Sequence, residues 1–279
     1  MNPAGHPLFA QAGPTGEVQL STGPAPTPYM VFDGQGLLIV GHCDAAAIAE
    51  SFAGQDVFPV LTTGGQAVLI LFVCDFRSAS HGPHLEFHVT CLAAPTPGEV
   101  IPDTAAAALA ALARRRDWGV LSLHLWNDTA PVVAYNTEYL GLQARACTGQ
   151  ITLHSDRMAF DFADAGGGAL VKGQVRLKKR SDSRLMGQVI SALGWRGMWD
   201  AVRRKPALAH VINRKSAPLP RNGRALTRTA PDKMIVTAFD STQDRLTFED
   251  PALAVLGFRP LVLEYLWPFR FVYHHPDES

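Results

Sequence analysis

The most sharply patterned stretch of the chain is 84–92, where His84, Glu86, His88 and Thr90 alternate with Leu85, Phe87, Val89 and Cys91. Period-two alternation marks a strand with one polar and one apolar face. Just before it, 67–76 is a continuous apolar run rich in Val, Leu and Phe, the pattern of a buried strand. Strand-like runs recur at 120–126, 144–153, 157–162, 169–178, 234–239, 245–248, 260–266 and 269–274, many separated by turns rich in Gly, Asp and Ser. Two shorter runs, 29–32 and 37–40, flank Asp33-Gly34-Gln35-Gly36, which predicts a hairpin. Strands in this number and spacing predict a barrel or sandwich rather than a βαβ array.

Helices are few. Asp44 is placed to cap a helix over 45–52, and Asp103 or Thr104 to cap an alanine-rich helix ending near Arg114-Arg115-Arg116, where cations suit the negative helix end. The stretch 130–140 predicts a short helix closed by Gly141. In 183–204, Met186, Val189, Ile190, Leu193 and Val202 share one face, while Gly194 and Gly197 weaken the middle. Gly166-Gly167-Gly168 precedes neither a helix nor a GK[ST], so it reads as a hairpin turn and not a phosphate loop.

Composition changes this picture in four ways. No Pro/Gly/Ser linker divides residues 29–279, which are expected to form a single domain behind an irregular N-terminal arm, 1–28. The beginning shows no basic leader and no apolar run is long enough to span a bilayer, so a cytoplasmic protein without a transmembrane segment is expected. Cys43, Cys74, Cys91 and Cys147 have no zinc-like spacing and read as buried free thiols. The net charge of zero hides a segregation: residues 1–171 carry −9 and residues 172–279 carry +9, with +13 concentrated in 172–233. A basic helical insertion near 181–230 is expected. It is open to an anionic partner, but its simpler role is a lid or a contact between subunits of a homo-oligomer. Few aromatic residues interleave with its charges, which argues against nucleic acid.

Three segments together carry a family resemblance. Gly82-Pro83-His84-Leu85-Glu86 resembles the GPYxE segment of the acetoacetate decarboxylase-like superfamily, with His84 in place of the aromatic residue. Residues 127–151 are similar to that family's helix, its GRExxGxPKK turn and the strand that follows, and 244–274 resemble its closing strands. The resemblance spans about Val31 to His274 and implies an α+β, mainly β fold, with a closed β-barrel of antiparallel sheets and a few short helices around a small-molecule cavity.

In that turn Glu138 matches the motif's glutamate and Gly141 its second glycine; Gln143 stands at the proline, Ala144 at the first lysine and Arg145 at the second. In the family one of these lysines forms a Schiff base with a keto acid. Alanine forms no imine, and arginine stays protonated. The first lysine of the chain is Lys172. The expectation is an enzyme that works without imine chemistry.

Glu86 matches the family's cavity glutamate and is the candidate catalytic acid or base. Its plainer reading is a glutamate paired with Arg77 at a barrel mouth. His84, His88, Glu138 and Arg145 are the candidate substrate-binding residues. His84 and His88 stand roughly 13 Å apart on a regular strand, so they do not share one metal, and no metal or other cofactor is expected. The strand pattern puts Arg145 on the face opposite Ala144, which counts against a ligand contact if Ala144 lines the cavity. The resulting expectation is a barrel that acts on a compact carbonyl or carboxylate compound by proton transfer, hydration, dehydration or hydrolysis. The alternative is a non-catalytic ligand-binding or scaffold protein that keeps the barrel.

Overall fold

The computed structural model describes residues 6–10, 12, 15–114, 117–203, 207–212 and 224–274. It opens with a helical turn, Pro7–Ala10 (α1), and a hairpin of Gly16–Leu20 (β1) and Gly23–Thr27 (β2). Next come Tyr29–Cys43 (β3), Ala45–Phe52 (α2), Phe58–Pro59 (β4), Leu61–Thr62 (β5), Ala67–Ala79 (β6), His84–Ala94 (β7) and Val100–Ile101 (β8). Ala105–Arg114 (α3) and Gly119–Asn127 (β9) lead into Ala130–Ala134 (α4) and a single π-helical turn, Tyr135–Tyr139. Ala144–Leu153 (β10), Arg157–Asp164 (β11) and Ala169–Arg176 (β12) precede the long helix Ser183–Arg203 (α5). The chain then continues through Ala207–Ile212 (β13), Arg224–Thr229 (β14), Lys233–Ala238 (β15), Arg245–Phe248 (β16), Pro251–Ala254 (α6), Arg259–Trp267 (β17) and Phe271–Tyr273 (β18).

The protein is mainly β and is built on one large mixed sheet. Pairing runs from β3 to β6, β7 and β9, on to β13, β14 and β18, and from β18 back to the start of β3. The later part of β3 pairs with β17, which pairs with β15. The end of β9 pairs in parallel with β10, and β10, β11, β12 and β16 form an antiparallel extension.

Strand alternation sorts the apolar residues into two cores. Val40, Ile70, Leu92, Val236, Val262, Phe271 and Tyr273 belong to one, on the face that carries Glu86. Leu37, Leu71, Phe87, Val89 and Trp126, on the reverse face of the same strands, pack on Phe160, Phe162 and Val171 of the extension. This explains the continuous apolar run of β6: both of its faces are buried. Burying such side chains contributes roughly 1.5–3 kcal/mol each.

Helix starts follow the sequence: Asp44 accepts the Ala46 N–H at 2.9 Å, and Thr104 Oγ1 accepts the Ala107 N–H at 3.2 Å. Alanines 106, 107, 108, 110 and 111 of α3 are buried, and Leu185, Val189 and Leu193 of α5 pack into the same core. Ile190, expected on that apolar face, is 38% exposed. Gly194, at φ 67°, kinks α5 one turn later, and the Val202 side chain lies outside the described residues.

Several expectations change. The N-terminal arm holds a regular hairpin, β1 and β2. Asp33-Gly34-Gln35-Gly36 is not a hairpin but a bulged stretch inside β3. A Cβ on Gly34 would come within 2.7 Å of the Asp75 carbonyl, and one on Gly36 within 2.9 Å of the Phe269 ring, so these glycines serve close approach and not a turn. The helix expected to run to Leu140 changes to a π turn at Tyr135 before Gly141, whose φ is 70°. The basic insertion near 181–230 is only partly helical, because β13 and β14 fall within it and pair with the main sheet. Its residues 204–206 and 213–223 lie outside the described residues. All four cysteines are buried free thiols. No helix among the described residues is long and apolar enough to cross a membrane.

Candidate active site

Register places Glu86 between Cys74 of β6 and Asn127 of β9, all three on the core face. Glu86 is 4% exposed and Asn127 fully buried. Asn127 Nδ2 donates to Glu86 Oε2 at 3.2 Å, and Asn127 Oδ1 accepts from Asn136 Nδ2 at 2.9 Å. Asn136 stands on the π turn, and its Oδ1 is buried with no partner among the described residues. Arg77, the cation considered for Glu86, pairs instead with Asp33 at 3.7 Å. Burial raises the Glu86 carboxyl to about 7, against the opposing pull of the Asn127 hydrogen bond.

Beside it lies a second buried group. The Tyr29 hydroxyl hydrogen-bonds His84 Nε2, and His84 Nδ1 donates to the Gly82 carbonyl at 2.9 Å. Because a carbonyl only accepts, Nδ1 carries the proton and Nε2 takes the Tyr29 hydroxyl proton. Burial lowers the His84 pKa and keeps the ring neutral, which fits this tautomer. Burial raises Tyr29 well above an ordinary phenol, and the charge of Glu86 adds to that shift; Tyr273 is raised in the same order of causes. His81 is half-buried: its ring lies 4.4 Å from that of Tyr135 and 5.0 Å from that of Tyr29 between centroids. Burial lowers His81 to about 4.

His88 follows Glu86 along the same face of β7. Its Nε2 lies 2.8 Å from Ser122 Oγ, and burial lowers its pKa to about 3, so it is a neutral hydrogen-bonding group. Among the described residues no three His, Cys, Asp or Glu side chains gather into a metal-sized group.

The other expected ligand contacts lie elsewhere. Glu138 is exposed and accepts both the Ser21 N–H, at 2.9 Å, and the Ser21 hydroxyl, which tie the β1–β2 hairpin to the π turn and lower the Glu138 pKa. Arg145 is exposed on the face opposite Ala144 and pairs in register with Trp126. Ala144 pairs with Leu125 and packs on the core that carries Glu86. Of the described lysines, Lys172, Lys179 and Lys233 are exposed and Lys178 is half-buried. Lys172 pairs with Asp161 at 3.6 Å in the extension.

Sequence reasoning missed Tyr29 and Tyr273, which sit in apolar contexts with no motif to mark them, and Asn127 and Asn136, which lie within the 127–151 segment but match none of its motif's polar positions. It also missed Glu264. That signal was readable, because Glu264 is the single charge between Val262 and Leu266 on the apolar face of 260–266. Burial raises Glu264 to about 7 as well.

No family model matches the chain, and no curated protein is similar to it in sequence. Solved structures are similar in fold. Acetoacetate decarboxylase from Legionella pneumophila subsp. pneumophila str. Philadelphia 1 is 11% identical, with a TM-score of 0.58 over 98% of this chain and 93% of that one. A second acetoacetate decarboxylase structure is 13% identical, with a TM-score of 0.50 over 90% of this chain and 91% of that one. The enduracididine biosynthesis enzyme MppR, in complex with the condensation product of pyruvate and imidazole 4-carboxaldehyde, is 12% identical, with a TM-score of 0.51 over 90% and 88%. At this level of identity the likeness is one of fold, and the chain carries the acetoacetate decarboxylase-like fold.

Proposed function

We propose that this protein is an enzyme in which Glu86 takes and returns a proton on a compact carbonyl or carboxylate compound, without an imine intermediate. In this reading the strand circuit from β3 to β18 closes a barrel, and the face bearing Glu86 is its inner wall. The observation that carries the reading is the Glu86 carboxyl itself: buried, held by an amide and paired with no cation among the described residues. Near neutral pH such a carboxyl is poised both to accept and to donate a proton. As carboxylate it removes a proton from the carbon next to a carbonyl, and the electron pair moves to the carbonyl oxygen. Tyr273 is the group suited to donate a hydrogen bond to that oxygen. Burial keeps its phenol neutral, and no hydrogen bond engages it among the described residues. The Tyr29 proton is already committed to His84. The absence of a lysine from the matching turn supports chemistry without a Schiff base.

A second reading is a ligand-binding protein without turnover. The packing of Tyr29, Phe76, Phe271 and Tyr273, with neighbouring ring centroids 5.1–5.8 Å apart, favours it, because side chains fill much of the space near Glu86. Proton NMR in D2O on a panel of small ketones and keto acids separates the two readings. The enzyme reading expects exchange of protons next to the carbonyl that is lost in Glu86→Gln. Binding without any Glu86-dependent exchange or turnover supports the second reading.

A further inference from the structure

We propose that Glu264 determines the specificity of this same site, and that the compound it takes carries an amine or amidine group for which Glu264 is the counter-ion. The inference rests on the reading of the Glu86 face as a substrate site.

Three observations carry it. Glu264 of β17 stands opposite Leu38 of β3 and Val236 of β15. The same row continues from Leu38 to Phe72 of β6 and then to His88 of β7, the next residue after Glu86 on this face. Glu264 thus shares the face of Glu86. Next, no hydrogen bond or ion pair reaches Glu264 among the described residues, and it is enclosed by protein while part of its surface stays open. Leu38, beside it, and Phe72, one strand further along the row, are likewise only half-buried. Side chains therefore leave this level of the face incompletely covered. Finally, among the described residues the ionisable groups of the neighbouring strands offer no positive charge. His88 and His84 are held neutral by burial, Cys74 keeps its proton, and Arg77, Arg145, Lys233 and Arg259 of the neighbouring strands are exposed.

An uncompensated carboxyl in such a place is unfavourable unless it is protonated or paired. A ligand ammonium or amidinium supplies the pair. A ligand carboxylate would instead bring a third acidic group to a face that already holds Glu86 and Glu264. The face therefore discriminates by charge, in favour of nitrogen cations and against keto acids.

Three-carbon probes of matched size test this. Aminoacetone, hydroxyacetone and pyruvate are titrated into the whole protein by calorimetry. The expected order is aminoacetone tightest by roughly tenfold, then hydroxyacetone, with pyruvate weakest. In Glu264→Gln the advantage of aminoacetone over hydroxyacetone should collapse while hydroxyacetone affinity is kept. Glu264→Asp, which keeps the charge, should retain part of the advantage. Tightest binding by pyruvate, or an aminoacetone advantage that survives Glu264→Gln, overturns the inference. If hydroxyacetone still shows Glu86-dependent proton exchange in that case, only the role of Glu264 fails. If none of the three probes binds, the inference and the underlying reading fail together.

Discussion

Asn127 holds Glu86 with its amide nitrogen at 3.2 Å and is itself held by Asn136 at 2.9 Å. The second bond fixes the orientation of the first, because only one rotamer of the Asn127 amide presents its oxygen to Asn136 and its nitrogen to Glu86. Asn127→Asp replaces that donor with a second carboxyl at hydrogen-bond distance. Two such groups cannot both ionise cheaply, so they should titrate as a pair with one step moved above that of Glu86 alone. Carbon-detected NMR of glutamate- and aspartate-labelled protein reads this. An unchanged Glu86 titration in Asn127→Asp would show that the contact is not made in solution.

Glu86 also sets a direction for stability against pH. Its folded value, about 7, lies above the ordinary 4.5. The native state therefore holds a proton that the unfolded chain has released. That contribution is full below the unfolded value and is lost as pH rises through the folded one. Glu86→Gln keeps the shape of the neutral acid, so it should match the wild type near pH 4 and exceed it by about 3 kcal/mol near pH 8. Urea melts at both pH values check this; a variant less stable than wild type at the higher pH contradicts it.

Ala144 occupies the position that the resemblance assigns to the reactive lysine. Borohydride reduction in the presence of acetoacetate or pyruvate should therefore leave no adduct. Intact-mass spectrometry showing a substrate-sized addition on any lysine would contradict this.

Helix α5 belongs to the core through Leu185, Val189 and Leu193. Val189→Asp buries an unpaired charge against α3 and should cost about 2–4 kcal/mol of stability. Trp195 is 69% exposed, and Trp195→Ala should stay within about 0.5 kcal/mol of wild type. Thermal and urea melts of the two variants test whether α5 is packed as described.

Much of the sheet was legible because its strands repeat with period two: β10 and β16 match their predicted bounds, and β7 shows its alternation directly. The Asp33–Gly36 stretch misled because a glycine in a strand and a glycine in a turn look alike without knowing what approaches it. Here the Asp75 carbonyl and the Phe269 ring do. In the site, Glu86 was legible as a carboxylate on a polar strand face, and the tertiary structure adds why that face is buried. His84 and His88 share its face, whereas Glu138 and Arg145 are turned outward, one by its bonds to Ser21 and the other by strand parity. Asn127 and Asn136 come together only through the π turn after α4, a backbone detail that no propensity announces.

In the proposed reaction a carboxyl on this face titrates near neutral pH and meets the substrate. The most direct measurement is a carbon-detected NMR titration of protein labelled at the glutamate carboxyls, in wild type, Glu86→Gln and Glu264→Gln, with and without hydroxyacetone. The account predicts two glutamates with midpoints near 7, each removed by its own substitution, and a Glu86 signal that moves when the ketone is added. A Glu86 signal that titrates in the ordinary carboxylate range near 4.5, or one indifferent to every small carbonyl compound, would contradict it.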